Sequence, residues 1–259
     1  MKVDLTMNSN LASQLREGTK KSHTLAENTA YMKCFLKGFL AVEPFTKLLS
    51  NLYFVYSKLE TELFRHRSHP VLGQLYFPQL DRKTNLEADL EYYYGNNWRE
   101  LIASSEAGRN YVAYLHEISN TEPVLLVAHS YVRYLGDLSG GQALKNLVRS
   151  ALELPADLGT RFYEFDKFPS VVAIREFKGQ YRDALNSLSI NDELAAKIVA
   201  EANYAFSLNR DLLHSLEPEI KAAIGENLFT EIVSESKPGS TEQSSESNSE
   251  SLVAAQSKN

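Results

Sequence analysis

Arg16, Lys20, His23 and Glu27 recur at a spacing that puts them on one strip of a helix, about 60° wide at 100° per residue. An imidazole with a carboxylate one turn on and two cations behind it has the parts of an oriented metal ligand beside a seat for an anion. The same ladder also suits an ordinary solvent-facing helix stabilised by i to i+4 pairs. A second candidate is YLGDLSGGQ, residues 134–142. Gly136 and Gly140 are one turn apart and share a face, with Asp137 and Gly141 beside it. Each glycine in a helix costs about 1 kcal/mol relative to alanine, and three within six residues let a helix bend or split. A face without side chains admits either a second helix or a flat ligand. Asp137 beside it needs a partner or water, because an unpaired buried carboxylate is expensive, and a carboxylate fixed there is suited to holding water or passing protons.

His129, seven residues before Gly136 on nearly the same face, competes with His23 as a metal ligand. The other histidines have other uses: His66 and His69 flank an exposed turn before Pro70, His116 lies on a polar helix, and His214 is placed to meet terminal carbonyls. There is no CxxC pair, phosphate loop or HExxH, and no flavin or nicotinamide motif, so any electrons must come from outside.

The elements that carry these residues read as helices throughout. NLASQLREGTKKSHTLAEN opens at the cap candidate Asn10 and repeats Leu11, Leu15, Thr19, Ser22 and Ala26 on one face, predicting a single amphipathic helix. Pro44 marks the first turn of a long helix whose Tyr53, Phe54 and Tyr56 serve as core and wall. Thr84 or Asn85 caps a shorter helix that Gly95 ends. After SEAGRNYVAYLHEIS, a helix from Pro123 carries apolar residues around most of its circumference, which predicts a central buried element containing the glycines. Two more helices follow the LPADLGTRFYEF connection, the last interrupted near Pro218. No repeat and no linker divides this stretch, so one all-α domain over residues 10–233 is expected.

Composition bounds the rest. The 259 residues are 43% hydrophobic, enough for a substantial core, and the net charge of −6 argues against nucleic acid as a partner. Cys34 is the single cysteine, so no intrachain disulfide forms, and it reads as a small buried hydrophobe in a reducing compartment. No run of about twenty apolar residues marks a membrane span. MKVDLTMNSN lacks the apolar stretch of a secretory signal, and residues 1–9 read as a loose extension. From Ser234 the chain holds nine serines, four glutamates and no aromatic residue. That composition predicts a disordered tail over 234–259.

LREGTKKSHTLAENTAYMKCFLKG, NLYFVYSKLE, YFPQLDRKTNLEADLEYYYG, AHSYVRYLGDLSGGQALK, FKGQYRDALNSL and EANYAFSLN, in this order and at these separations, closely resemble haem (heme) oxygenase. The resemblance covers nearly the whole body and is nearest the soluble cyanobacterial and plastid type. It implies a single-domain helical bundle with haem b, both substrate and cofactor, between a proximal helix and a kinked distal helix. It implies that His23 is the axial ligand, that Glu27 bonds its other ring nitrogen, and that Gly136 and Gly140 close over the distal face. It further implies that Asp137 holds water near dioxygen, extended by Tyr56, Arg133 and Asn209. Arg16, Lys20, Tyr131, Lys178 and Arg182 then belong to the cofactor-binding edge, with Arg16, Tyr131, Lys178 and Arg182 at the propionates, and Phe206 is a wall.

Two departures stand out: Arg16 where lysine is usual, and Val132 where threonine is common. The implied reaction opens haem at the α-meso carbon to biliverdin IXα, carbon monoxide and ferrous iron, for bilin pigment synthesis in a cytoplasm or plastid stroma. Ferredoxin is the implied electron donor, docking on Lys20, Lys21 and Arg175, and a bilin reductase the implied next enzyme. A non-catalytic haem carrier would keep His23 without needing Asp137 and its network. A thiaminase-like enzyme on the same fold would leave the His23 strip and the propionate cations unexplained.

Overall fold

A computed structural model describes residues 10–235, and every regular element among them is helical. The extension 1–9, and all of the expected tail except Ser234 and Glu235, lie outside the described residues.

The chain begins with α1 (Leu11–Gly18), α2 (Lys20–Glu27), α3 (Ala30–Leu36) and α4 (Val42–Arg65). It continues through α5 (Lys83–Tyr94), α6 (Trp98–Leu101), α7 (Glu106–Thr121), α8 (Leu126–Ser130) and α9 (Gly136–Ala151). It closes with α10 (Val171–Asn186), α11 (Asp192–His214), α12 (Glu217–Ile224) and α13 (Glu226–Ser234). Local chemistry explains several of these limits. Ser105, Ser170 and Asn191 cap α7, α10 and α11 with side-chain oxygens that accept from the backbone N–H three residues on. Gly95, at φ +77°, ends α5 in a conformation that side chains resist.

Three boundaries differ from the sequence reading. The single N-terminal helix is two, because the buried Thr19 hydroxyl donates back to the Leu15 carbonyl at 2.7 Å, a bond that loosens the helical ladder. Asn10 flanks α1 without a side-chain cap bond. Gly18 lets this junction lie against α11, where a Cβ would come within 2.5 Å of Val199 Cγ1. Helix α4 starts two residues before Pro44, whose missing N–H costs nothing in a first turn that has no internal acceptors. Helix α5 starts at Lys83, ahead of Thr84 and Asn85, because Glu60 of α4 accepts the backbone N–H groups of Arg82 and Lys83. Asn85 turns instead to the carbonyls of Arg161 and Glu164.

The core has two spines. Helix α4 packs against α5 and α7, and α11 packs against α1, α2, α7 and α8. Their contact faces are sealed by Leu15, Leu49, Tyr56, Leu59, Tyr111 and Ala205. Cys34 is fully buried as expected, and burial pushes its thiol up to about 11, which keeps it un-ionised. Among the described residues no helix is long and apolar enough to cross a membrane.

Candidate functional site

The stretch from Pro123 to Ala151 is nearly continuous helix, entered through a 3-10 turn at Pro123–Leu125. Its irregularity is a π turn over Tyr131–Leu135, immediately before the glycines, which are themselves regular α-helix. One inserted residue in the ladder re-aims the following face. Sequence reasoning put the weak point at the glycines; the structure puts it one step upstream.

The glycine face is not a seat for another helix. A Cβ built on Gly136 or Gly140 would meet no atom within 4 Å, so both look onto open space. Gly141 points the other way, towards Tyr163 at ordinary contact distance. Helix α2 packs against α11, α1 and α3, yet none of its residues is fully buried. His23 lies on this helix, half-buried, with Nδ1 3.6 Å from a Glu27 carboxylate oxygen and its ring edge-on to Phe206 at 5.8 Å.

His129 is removed as a rival ligand. It is fully buried, with Nε2 2.7 Å from Glu201 and Nδ1 3.1 Å from the Tyr111 hydroxyl, so both ring nitrogens are committed inside the protein. The remaining histidines are also engaged away from the cleft. His66 and His69 are half-buried, contrary to the expected exposed turn. His66 contacts the Ser119 carbonyl, and His69 Nδ1 accepts from the backbone of Val71 and Leu72. His116 pairs with Glu62, and His214 with the Glu217 carboxylate.

Behind the glycine face four residues form one network. The Tyr56 hydroxyl donates to Asp137 in a short hydrogen bond and accepts from Arg133 Nε at 2.9 Å. Arg133 also donates to Asn209 Oδ1 at 2.6 Å and lies 3.7 Å from Asp137. Asn209 is fixed in turn by donating to the Ala205 carbonyl. Burial pushes the Asp137 carboxyl above the usual aspartate range, opposed in part by Arg133, the Tyr56 hydroxyl and Arg82, so the group holds a proton more readily than an exposed aspartate does.

Three members of this polar interior escaped the sequence reading. Arg82 is buried, stacked on Phe165 at 3.7 Å and bonded to the carbonyls of Leu80, Phe162 and Glu164. Glu60 sits one turn after Tyr56, and burial pushes its carboxyl up to about 7. Tyr134 has a buried hydroxyl with no hydrogen-bond partner, which calls for a water. Glu60 was findable, since i to i+4 puts it on the Tyr56 face; Arg82 was not, because only the chain's return brings its charge within reach of Asp137.

At the other edge, Arg16 of α1, Tyr131 of the π turn, and Lys178 and Arg182 of α10 converge. Tyr131 hydrogen-bonds Thr19 and feels both Arg16 and Arg182. Lys178 is held below the usual lysine range by burial and then by Arg182. Among the described residues, none of Arg16, Lys178 and Arg182 has a carboxylate within ion-pair distance. Gathered cations with no counter-charge repel one another, so this edge is built for an anion. Lys20 is drawn aside to Glu17 at 2.5 Å.

The open bare-backbone face, a half-buried imidazole and a cluster of cations without a paired carboxylate have the chemistry to suit a flat molecule carrying a metal and acidic substituents. Comparison with known proteins agrees. The heme oxygenase family model matches residues 9–215. The chain is 55% identical to heme oxygenase 2 of Synechocystis sp. PCC 6803 over 233 residues, covering 90% of this chain and 93% of that protein. It is 49% identical to heme oxygenase 1 of Nostoc sp. PCC 7120 over 236 residues, 91% of this chain and 98% of that one. The crystal structure of the Synechocystis heme oxygenase-2 complex with heme and NO superposes with a TM-score of 0.89 at 55% identity, covering 90% of this chain and 96% of that chain.

Proposed function

The chain belongs to the haem oxygenase family, and from that premise we propose that it opens haem at the α-meso carbon to biliverdin IXα, carbon monoxide and ferrous iron, with electrons from reduced ferredoxin. The observation that carries this reading is the glycine face of α9, open where a Cβ would stand and backed by Asp137. A haem carrier needs the imidazole and the cations but has no use for a buried carboxylate beside the ligand face.

Bound haem supplies the iron at which dioxygen is reduced and the porphyrin edge that is oxidised. The chain's own residues do the rest. His23, with Nδ1 towards Glu27, presents Nε2 as the ligating nitrogen. Arg16, Tyr131, Lys178 and Arg182 would hold the propionates, and that grip would select one orientation of the ring. Gly136 and Gly140 let the backbone approach the distal face, and Phe206 limits movement of His23. Asp137 holds the water that delivers a proton, while Tyr56, Arg133 and Asn209 fix its carboxylate in place.

A docking surface for the electron donor would draw on Lys21 and Arg175, which are exposed, and Lys20, which is half-buried. These cations suit an acidic donor such as ferredoxin despite the net charge of −6. The product's chemistry suits a bilin reductase as the next enzyme, in a cytoplasm or plastid stroma.

The deciding experiment is an absorption time course with one equivalent of hemin, ferredoxin, its reductase and a source of reducing equivalents under air. Decay of the haem band with growth of biliverdin absorption is the expected result. A persistent haem band, with reduction of the donor verified, would favour the carrier.

A further inference from the structure

A second hollow lies on the opposite flank of α4 from the haem cleft. Tyr56 faces the cleft, whereas Phe54 and Lys58, each two residues and about 200° away, face the groove between α4 and α7. The groove has a volume of about 570 Å³, within the range of sites that hold compact organic ligands. Phe54, Ala103, Val112 and Ala113 make its walls, and Arg109, Lys58 and His116 stand at its mouth.

The mouth carries an excess of positive charge. Arg109 donates to the Ser104 carbonyl at 2.6 Å, which leaves most of its five N–H donors for a ligand. Lys58 makes a long 3.5 Å contact with Glu62. Glu62 is the carboxylate facing this end, but its charge is taken up by Arg65 at 2.9 Å, the Ser119 hydroxyl at 2.8 Å and His116 at 3.2 Å. The two cations stand apart: Arg109 lies on α7 seven residues, about 10 Å, from His116, and Lys58 stands on the facing helix at the His116 end, where both contact Glu62.

An apolar trough with two separated cationic stations suits a ligand with an extended apolar body and two carboxylates. A long-chain monocarboxylate would use one station and leave the other idle. We propose that this groove is a second binding site for a linear tetrapyrrole dicarboxylate, which on the reading of the function given above is the released product. Bound there, the product stays on the protein without blocking the cleft that takes the next haem.

The test titrates biliverdin into the full chain loaded with ferric haem, without reductant, following induced circular dichroism in the bilin band together with the haem Soret band. Saturable bilin binding with an unchanged Soret band is expected, weakened about tenfold in Arg109→Glu or Lys58→Glu. Ala113→Trp, at an exposed position, should block the groove while leaving haem binding intact. No saturable signal overturns the proposal, as does loss of the Soret band, which would mean that bilin enters the haem cleft. Equal affinity in the variants, or equal displacement by palmitate, overturns the tetrapyrrole assignment. A chain that opens haem yet fails to bind biliverdin sinks the groove alone. A chain that binds biliverdin at the groove yet leaves haem intact under donor sinks the functional reading instead.

Discussion

The hydroxyl of Tyr56 on α4 donates to the carboxylate of Asp137 on α9, joining two helices that the sequence places 81 residues apart. This bond holds Asp137 at the edge of a cleft with no other carboxylate in the network. Its consequences reach most of the behaviour expected of the protein.

In the proposed mechanism Asp137 positions water, so Asp137→Ala should remove that role while leaving His23 and the cation cluster untouched. Haem should bind with a near-normal spectrum while ring opening slows by a factor on the order of 10² to 10⁴. Single-turnover spectra check this, and sustained biliverdin formation by the variant would remove Asp137 from the proton path.

Gly140→Ala separates the needs of the fold from those of the ligand. The added Cβ meets nothing in the protein, so the apoprotein should gain up to about 1 kcal/mol from helix propensity and melt higher. The methyl group points into the cleft, so haem affinity should fall. Gly18→Ala should do the reverse, destabilising the apoprotein through the clash with Val199. Thermal melts and haem titrations read both effects; a Gly140 variant with unaltered haem affinity would contradict the assigned face.

Arg182→Ala weakens one end of the cation cluster. If this cluster anchors the propionates, as proposed, chromatography of the product should show isomers besides biliverdin IXα, because a propionate with fewer anchors would let haem turn in its seat. A single unchanged isomer would take Arg182 out of the orienting set.

Burial of Glu60 predicts a pH dependence of stability with a definite sign. Its carboxyl is raised in the folded state to about 7, against 4.5 for the ordinary group, so the folded state binds more protons between those values and stability falls as pH rises through that window. The full shift corresponds to a few kcal/mol, about 1.4 per unit. Glu60→Gln keeps an acceptor for Arg82 and Lys83 but cannot ionise. Its stability relative to the unsubstituted chain should therefore be greater at pH 8 than at pH 5, and denaturant melts showing a constant difference would disprove the assignment.

If ferredoxin is the donor, as proposed, its electron transfer should depend on salt. Contacts with Lys20, Lys21 and Arg175 would be between surface charges, screened over about 8 Å at 0.15 M ionic strength. The rate of haem reduction should drop between low and high salt and drop further in Arg175→Glu. A rate indifferent to both would place the donor elsewhere.

Local patterns were legible in the sequence because they depend on neighbours within a turn or two. Helical periodicity fixed the fold class, the His23 and Glu27 spacing fixed their shared face, and the six ordered motifs pointed to the family. The bare face of Gly136 and Gly140 was visible as well, but not what it faces. That required knowing that no other helix fills the space, which is a property of packing. Helix spacing alone did not separate His23 from His129; the motifs pointed to His23, and the fold adds that distant Tyr111 and Glu201 have taken the His129 ring.

The sequence by itself determined which residues share a helix face, since an α-helix repeats every 3.6 residues whatever surrounds it. The tertiary structure decided which faces meet. It brought the charge of Arg82 within reach of Asp137, moved the start of α5 to the Glu60 carboxylate, and left Arg16, Lys178 and Arg182 without a counter-charge among the described residues. Burial, hydrogen-bond satisfaction and charge balance are sums over residues far apart in the chain, and such sums exist only once the chain has folded.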